Sequence, residues 1–116
     1  MPIPKISSFH FGKIYIDDQC YTKDIIIFPN RVYSQWWREA GHTLSVHDLR
    51  EVLPSQPRIL IVGTGVFGRL KVPHETCDYL EAVGVEVIIQ RTQEACLTYN
   101  RLCQEGDIVA ALHLAC

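Results

Sequence analysis

The sequence predicts an α/β fold in which an N-terminal antiparallel β-ribbon feeds a βαβαβ unit. Three observations predict it. Apolar residues alternate with period two through the first third of the chain. The later part switches between short continuous apolar runs and helical stripes. Proline and glycine punctuate each change. At 116 residues, with 47% hydrophobic and 21% charged residues, the chain reads as a single domain with a core of its own. Residues 1–40 form its ribbon portion and 41–116 its α/β portion.

In the ribbon, Phe9 and Phe11 alternate with His10, and Ile14 and Ile16 with Tyr15, around a turn at Gly12-Lys13. Asp17-Asp18-Gln19 makes the next turn. Asp24–Phe28 is a continuous apolar strand closed by Pro29-Asn30, and Arg31-Val32-Tyr33 adds a short edge. Ser45 and Asp48 have capping-box spacing ahead of a helix with Val46, Leu49, Val52 and Leu53 on one face, ended by Pro54. Strand Arg58–Val62 follows, then a helix from Pro73 to Val83 capped by Gly84. Strand Val85–Ile89 leads to a helix over Gln93–Glu105, with Thr92 as its N-cap and Ala95, Cys96, Tyr99, Leu102 and Cys103 as its buried stripe. Gly106 closes it, and Ile108–Leu112 is the last strand. This order calls for right-handed crossovers and at least partly parallel pairing.

Composition excludes several functions. Eleven Lys+Arg against 13 Asp+Glu make a net charge of −2, without the basic excess of a nucleic-acid binder. The five cysteines, Cys20, Cys77, Cys96, Cys103 and Cys116, include no C-x-x-C pair. They point to reduced thiols and to neither a disulfide framework nor a zinc site. The histidines lack metal-ligand spacing, so no metal is expected. No apolar run approaches the ~20 residues of a membrane span, and the chain reads as cytoplasmic.

Gly63-Thr64-Gly65-Val66-Phe67-Gly68 spells G-x-G-x-x-G after a strand, the letters of a dinucleotide-binding turn. The context argues against that chemistry. The third glycine of such a turn lies inside the opening helix, whereas Arg69–Val72 separates Gly68 from Pro73, and a residue before proline avoids helical angles. The second strand ends in Gln90-Arg91, without the acidic residue that holds a ribose. No cofactor is expected. Three strand ends nevertheless fall on one rim: Gly63, Thr64 and Gly65; Arg91 and Thr92; and His113. Free amides, a hydroxyl, a guanidinium and an imidazole there suit an anion or a partner's carboxylate, with Thr92 as a plain cap and His113 as a plain surface residue the alternative. Trp36-Trp37-Arg38 is a candidate interface, because tryptophan and arginine anchor protein contacts. One of its rings can equally close the core.

From Thr92 through Gly106 the sequence TQEACLTYNRLCQEG resembles a known family. Thr92, Ala95 and the pair Tyr99-Asn100 carry the likeness, with support from Val62–Gly65, Val72-Pro73 and Trp37–Glu39. The family includes mitochondrial NADH:ubiquinone oxidoreductase (complex I) assembly factor 3 and the adipogenesis-associated Mth938-like domain protein (domain of unknown function 498). The resemblance implies a three-layer α/β fold around a mixed sheet and no established catalytic residues. For mitochondrial members it implies complex I assembly beside a partner protein. Without a mitochondrial presequence, the chain reads as a prokaryotic-type member, cytoplasmic or, alternatively, peripheral to a respiratory membrane.

The leading expectation is a non-catalytic protein-interaction module whose partners are respiratory-complex subunits or assembly proteins. The second is a protein, or an enzyme of unspecified reaction, that takes a small molecule or anion on the strand-end rim. Self-association into a homodimer through the tryptophan patch is the third.

Overall fold

The computed structural model describes residues 2–116; Met1 lies outside the described residues. Among the described residues, eight strands form two sheets. Strands β1 (Ile6–His10), β2 (Lys13–Ile16) and β3 (Gln19–Tyr21) make an antiparallel meander. Strands β4 (Ile25–Phe28), β5 (Arg31–Tyr33), β6 (Ile59–Gly63), β7 (Glu86–Gln90) and β8 (Ile108–Leu112) make a mixed sheet in the order β5-β4-β8-β6-β7. Strands β6, β7 and β8 are parallel to one another, whereas β4 runs antiparallel to both β5 and β8. The predicted α/β class with its mixed sheet is therefore present. The ribbon portion divides, however: its first three strands form the small sheet, and β4 and β5 extend the large one.

Period-two alternation makes the large sheet two-faced. Ile25, Ile27, Ile59, Ile61, Ile108, Ala110 and Leu112 bury on one side, against helix α2 (Thr92–Leu102) and the small sheet. Ile26, Phe28, Leu60, Val62, Val109 and Ala111 bury on the other, with Leu80 of helix α1 (His74–Ala82) and with Trp36, Leu44, Leu49 and Val52. The result is three layers. Each fully buried Ile or Leu contributes about 2 kcal/mol to this stack.

Four local expectations change. His10 pairs with Lys13, so the first turn is Phe11-Gly12 and not Gly12-Lys13. Gln19 pairs with Ile16, so the second turn contains only Asp17 and Asp18, with φ of 48° and 69°. That is the left-handed pair of a two-residue hairpin loop, and β3 follows where the sequence, three residues long and polar at its start, shows no alternation. The Ser45–Asp48 box does form. The Ser45 amide donates to Asp48 Oδ2 (2.9 Å), and the Asp48 amide approaches Ser45 Oγ (3.3 Å). It opens onto two 3-10 turns, His47–Leu49 and Leu53–Ser55, and not onto an α-helix. Too few residues precede Pro54 for a stable α-helix, and 3-10 spacing puts Leu49 and Val52 on one face.

Helix α2 begins at Thr92, one residue earlier than predicted, and ends at Leu102, with Cys103–Glu105 continuing as a 3-10 turn. Its family-like residues fasten the N-terminal strand. Asn100 Oδ1 accepts from the Ile6 amide (3.0 Å) and Nδ2 donates to the Ile6 carbonyl (2.8 Å), the two-point grip a neighbouring strand would supply. Tyr99 is fully buried and its hydroxyl donates to the Pro4 carbonyl at 2.7 Å. Ala95 is fully buried in the same layer. Asn100→Ala is expected to destabilise the fold by about 2 kcal/mol, since both backbone groups of Ile6 lose their partner. Hydrogen exchange should then accelerate in β1 well before it does in β6.

Candidate functional site

The carboxyl ends of β6, β7 and β8 meet, as parallel pairing requires, but their polar groups face one another. Thr92 Oγ1 accepts from the Gly65 amide (2.8 Å) and donates to the His113 carbonyl (2.5 Å), so one hydroxyl joins all three strand ends. The Thr92 amide donates to the Gly65 carbonyl (3.2 Å). Thr92 is not the helix cap: Arg91 holds that position, and Thr92 is fully buried. A side chain at Gly63 would meet Thr92 Oγ1 at 2.8 Å and Leu112 Cδ2 at 2.8 Å, which explains the glycine by close packing.

The glycine loop offers no cradle of free amides. The amides of Thr64, Val66, Gly68, Arg69 and Leu70 donate to the carbonyls of Gln90, Ala115, Gly65, Cys116 and Thr64, and the Thr64 hydroxyl also reaches the Gln90 carbonyl. Gly65 has φ of +101°, and a Cβ there would stand 2.8 Å from His113 Cδ2. These glycines let three strand ends pack together. Helix α1 starts only at His74, so Gly68 lies outside it. Of the rim residues Gly63, Thr64, Gly65, Arg91, Thr92 and His113, only Arg91 extends an exposed side chain.

His113 turns the other way, into a buried ionic cluster. Its Nδ1 lies 2.8 Å from Asp24 Oδ2. Arg38 Nη1 donates to the same oxygen at 2.8 Å, and Arg38 Nη2 donates to the Gly41 carbonyl at 3.1 Å. Asp24 Oδ1 accepts the Leu114 amide at 2.8 Å. The Arg38 guanidinium also stacks on the Trp36 ring, 4.9 Å from its centroid. Arg38 Nε and His113 Nε2 are buried without a partner among the described residues. Burial alone would raise the Asp24 carboxyl, yet the hydrogen bonds from His113, the Leu114 amide and Arg38 outweigh it and hold its pKa below the ordinary value.

This cluster sets the two tryptophans apart. Trp36 is buried, and its Nε1 donates to the Asp48 carbonyl at 2.9 Å. Asp48 in turn is almost fully buried and accepts the Glu39 and Ser45 amides at 3.0 and 2.9 Å. Desolvation would raise the Asp48 carboxyl as well, but those two amides, the Ser45 hydroxyl and the charge of Arg38 together outweigh it, and its pKa is also lowered. Trp37, the next residue, is 64% exposed. It stands at an open hollow of about 570 Å³ lined by Lys23, Asp24, Gln35, Trp36, His113 and Ala115, among others. Of the sequence-predicted interface, therefore, Trp37 faces out, while Trp36 and the Arg38 side chain form the base beneath it.

Both aspartates titrate below their unfolded reference of 3.8, which fixes the sign of the acid response. A carboxylate with a lowered native pKa stabilises the fold above its unfolded value and loses that contribution as pH falls through the native value. Urea midpoints are expected to stay level at neutral pH and to fall progressively below 3.8. Asp48→Asn should flatten that decline while lowering the plateau.

Among the described residues no group of three or more His, Cys, Asp and Glu is placed to hold a metal ion, and no helix is long and apolar enough to cross a membrane. Burial pushes the Cys96 thiol up to about 12, which keeps it protonated in the α2 layer.

A two-faced mixed sheet with α2 and a three-stranded meander on one side and α1 on the other is the Mth938-like α/β architecture. The chain belongs to the family described as "Protein of unknown function (DUF498/DUF598)", which matches residues 6–114. It is similar to the conserved hypothetical protein PH1505 of Pyrococcus horikoshii OT3, with 29% identity and a TM-score of 0.82 over 97% of this chain and 99% of that one. It is also similar to a protein of Bordetella parapertussis, with 30% identity and a TM-score of 0.80 over 98% of each chain. A Bordetella pertussis protein described as a Mth938-like domain matches at 26% identity and a TM-score of 0.73, over 96% of this chain and 85% of that one.

Proposed function

We propose that this protein is a non-catalytic interaction module that docks a protein partner on the face around Trp37. One observation carries the reading. A fully formed tryptophan side chain, 64% exposed, is held at the edge of a roomy hollow by a base of buried, hydrogen-bonded residues. Trp36, Arg38, Asp24 and Asp48 fix the backbone on either side, so little ordering entropy remains to be lost when Trp37 enters a partner's pocket. The hydroxyls of Thr64 and Thr92 are engaged inside the protein and do not line this face.

The class of partner rests on the family resemblance at Thr92–Gly106: subunits or assembly proteins of a respiratory complex, met at the membrane periphery. Affinity capture from a membrane-containing lysate tests the proposal. The wild-type protein is expected to retain a specific partner that Trp37→Ala loses by at least about tenfold, while Trp37→Ala leaves stability within about 0.5 kcal/mol of wild type. Equal recovery by both proteins would refute it.

A further inference from the structure

A second hollow, on a different part of the carboxyl-end surface, has the composition of a binding site for a small organic anion. It is a shallow, open hollow of about 430 Å³, lined by Thr64, Phe67, Gly68, Leu70, Lys71, Val72, Ile89, Gln90 and Arg91. Two of those residues are cations and none is a carboxylate. Neither Lys71 nor Arg91, nor the adjacent Arg69, forms an ion pair among the described residues. Elsewhere in the chain, Arg38, Arg50 and Arg58 each meet a carboxylate.

Topology explains why the hollow lies here. Strands β6 and β7 are parallel neighbours, and the connections leaving their carboxyl ends diverge. The chain after β6 goes to α1, packed with the Leu60 and Val62 face, and the chain after β7 goes to α2, on the Ile59 and Ile61 face. Such a divergence leaves a crevice, which is where open α/β sheets take ligands.

The local chemistry is preset. Gly68 has φ of +69°, and a Cβ on it would sit 3.3 Å from Arg91 Nε, so the absent side chain lets Arg91 lie across the loop beside Thr64. Lys71 is pinned on both sides of its backbone, its amide donating to the His42 carbonyl (2.9 Å) and its carbonyl accepting the Leu44 amide (2.8 Å). Phe67 and Ile89 supply apolar wall and are 59% and 45% exposed. A guanidinium fork, an ammonium and two uncovered apolar side chains match an oxyanion carried on an apolar body.

We infer that the crevice between the ends of β6 and β7 binds a small organic oxyanion, a carboxylate or a phosphate monoester, whose aromatic or branched apolar part packs on Phe67 and Ile89. Arg91 receives the oxyanion with Lys71 beside it. The site is separate from the Trp37 face and does not depend on the reading of that face.

The test is amide-resolved NMR on the intact chain, titrated separately with phenyl phosphate, benzoate and inorganic phosphate. Saturable shifts centred on Gly68 and Arg91 are expected with at least one of the two aryl oxyanions, and weaker binding with inorganic phosphate. Arg91→Ala and Lys71→Gln, both at exposed positions, should each weaken aryl-anion binding, Arg91→Ala by about tenfold or more. Arg101→Ala, which removes an exposed cation elsewhere on α2, should leave it unchanged. Three outcomes would overturn the assignment: no saturable shift with either aryl oxyanion, undiminished binding by Arg91→Ala, or inorganic phosphate binding as tightly as phenyl phosphate.

Discussion

Thr92→Val is expected to destabilise the protein by about 3 kcal/mol although it preserves the shape of the side chain. The lost hydroxyl serves two buried groups at once, the Gly65 amide and the His113 carbonyl. Each is left without a partner in a place water does not reach, and an orphaned buried group costs about 1–3 kcal/mol. Thr92→Ser keeps the hydroxyl and removes only a methyl, so its cost should stay near 1 kcal/mol. Urea unfolding of the two variants separates the accounts. If Val and Ser cost the same, the hydroxyl is not what holds the three strand ends together.

Arg38→Met is expected to cost about 2–3 kcal/mol, less than the full penalty for breaking a buried ion pair. Asp24 retains His113 and the Leu114 amide, and its side chain is 17% exposed, which moderates the loss. The loss is pairwise, so a cycle with Asp24→Leu should reveal a coupling of at least about 1 kcal/mol. Arg38→Lys should recover only part of it, because a single ammonium cannot reach Asp24 and the Gly41 carbonyl with the planar fork that Arg38 uses. Independent, additive effects of the two substitutions would show that the cluster is no cooperative base for Trp37.

The fold was legible where one physical signal dominated. Short continuous apolar runs marked β4, β6 and β8, and Pro73 and Gly84 bracketed α1 to within a residue, because a missing N–H and a left-handed cap act locally. Pairing across the chain was not legible. Nothing in Asp24–Phe28 says that this strand lies antiparallel to the last one, yet that register, Ile25 with Leu112, sets Asp24 opposite His113 and creates the ionic cluster. Arg38 reaches the same oxygen from a loop. Three residues distant in sequence converge there through tertiary structure alone.

Thr92 taught a related lesson. Threonine at the start of a helix reads as a cap, the local use of its hydroxyl. Here the long-range use wins, because the glycine loop and the end of β8 bring two unmet backbone groups within reach. The adjacent tryptophans were legible as a candidate interface of which one ring could equally close the core. Which of them faces out was settled by the Asp48 carbonyl, which accepts Trp36 Nε1.

The docking role of the Trp37 face is tested most directly by a photo-reactive residue at Gln35, which lines the hollow with Trp37 left intact. The control probe sits at Leu97, whose side chain is 69% exposed on α2 and lies away from that hollow. Irradiation in a membrane-containing lysate should yield a discrete protein adduct from position 35 that disappears when Trp37→Ala is added, and no matching adduct from position 97. The same adducts from both positions, or an adduct at 35 that persists without Trp37, would contradict the account.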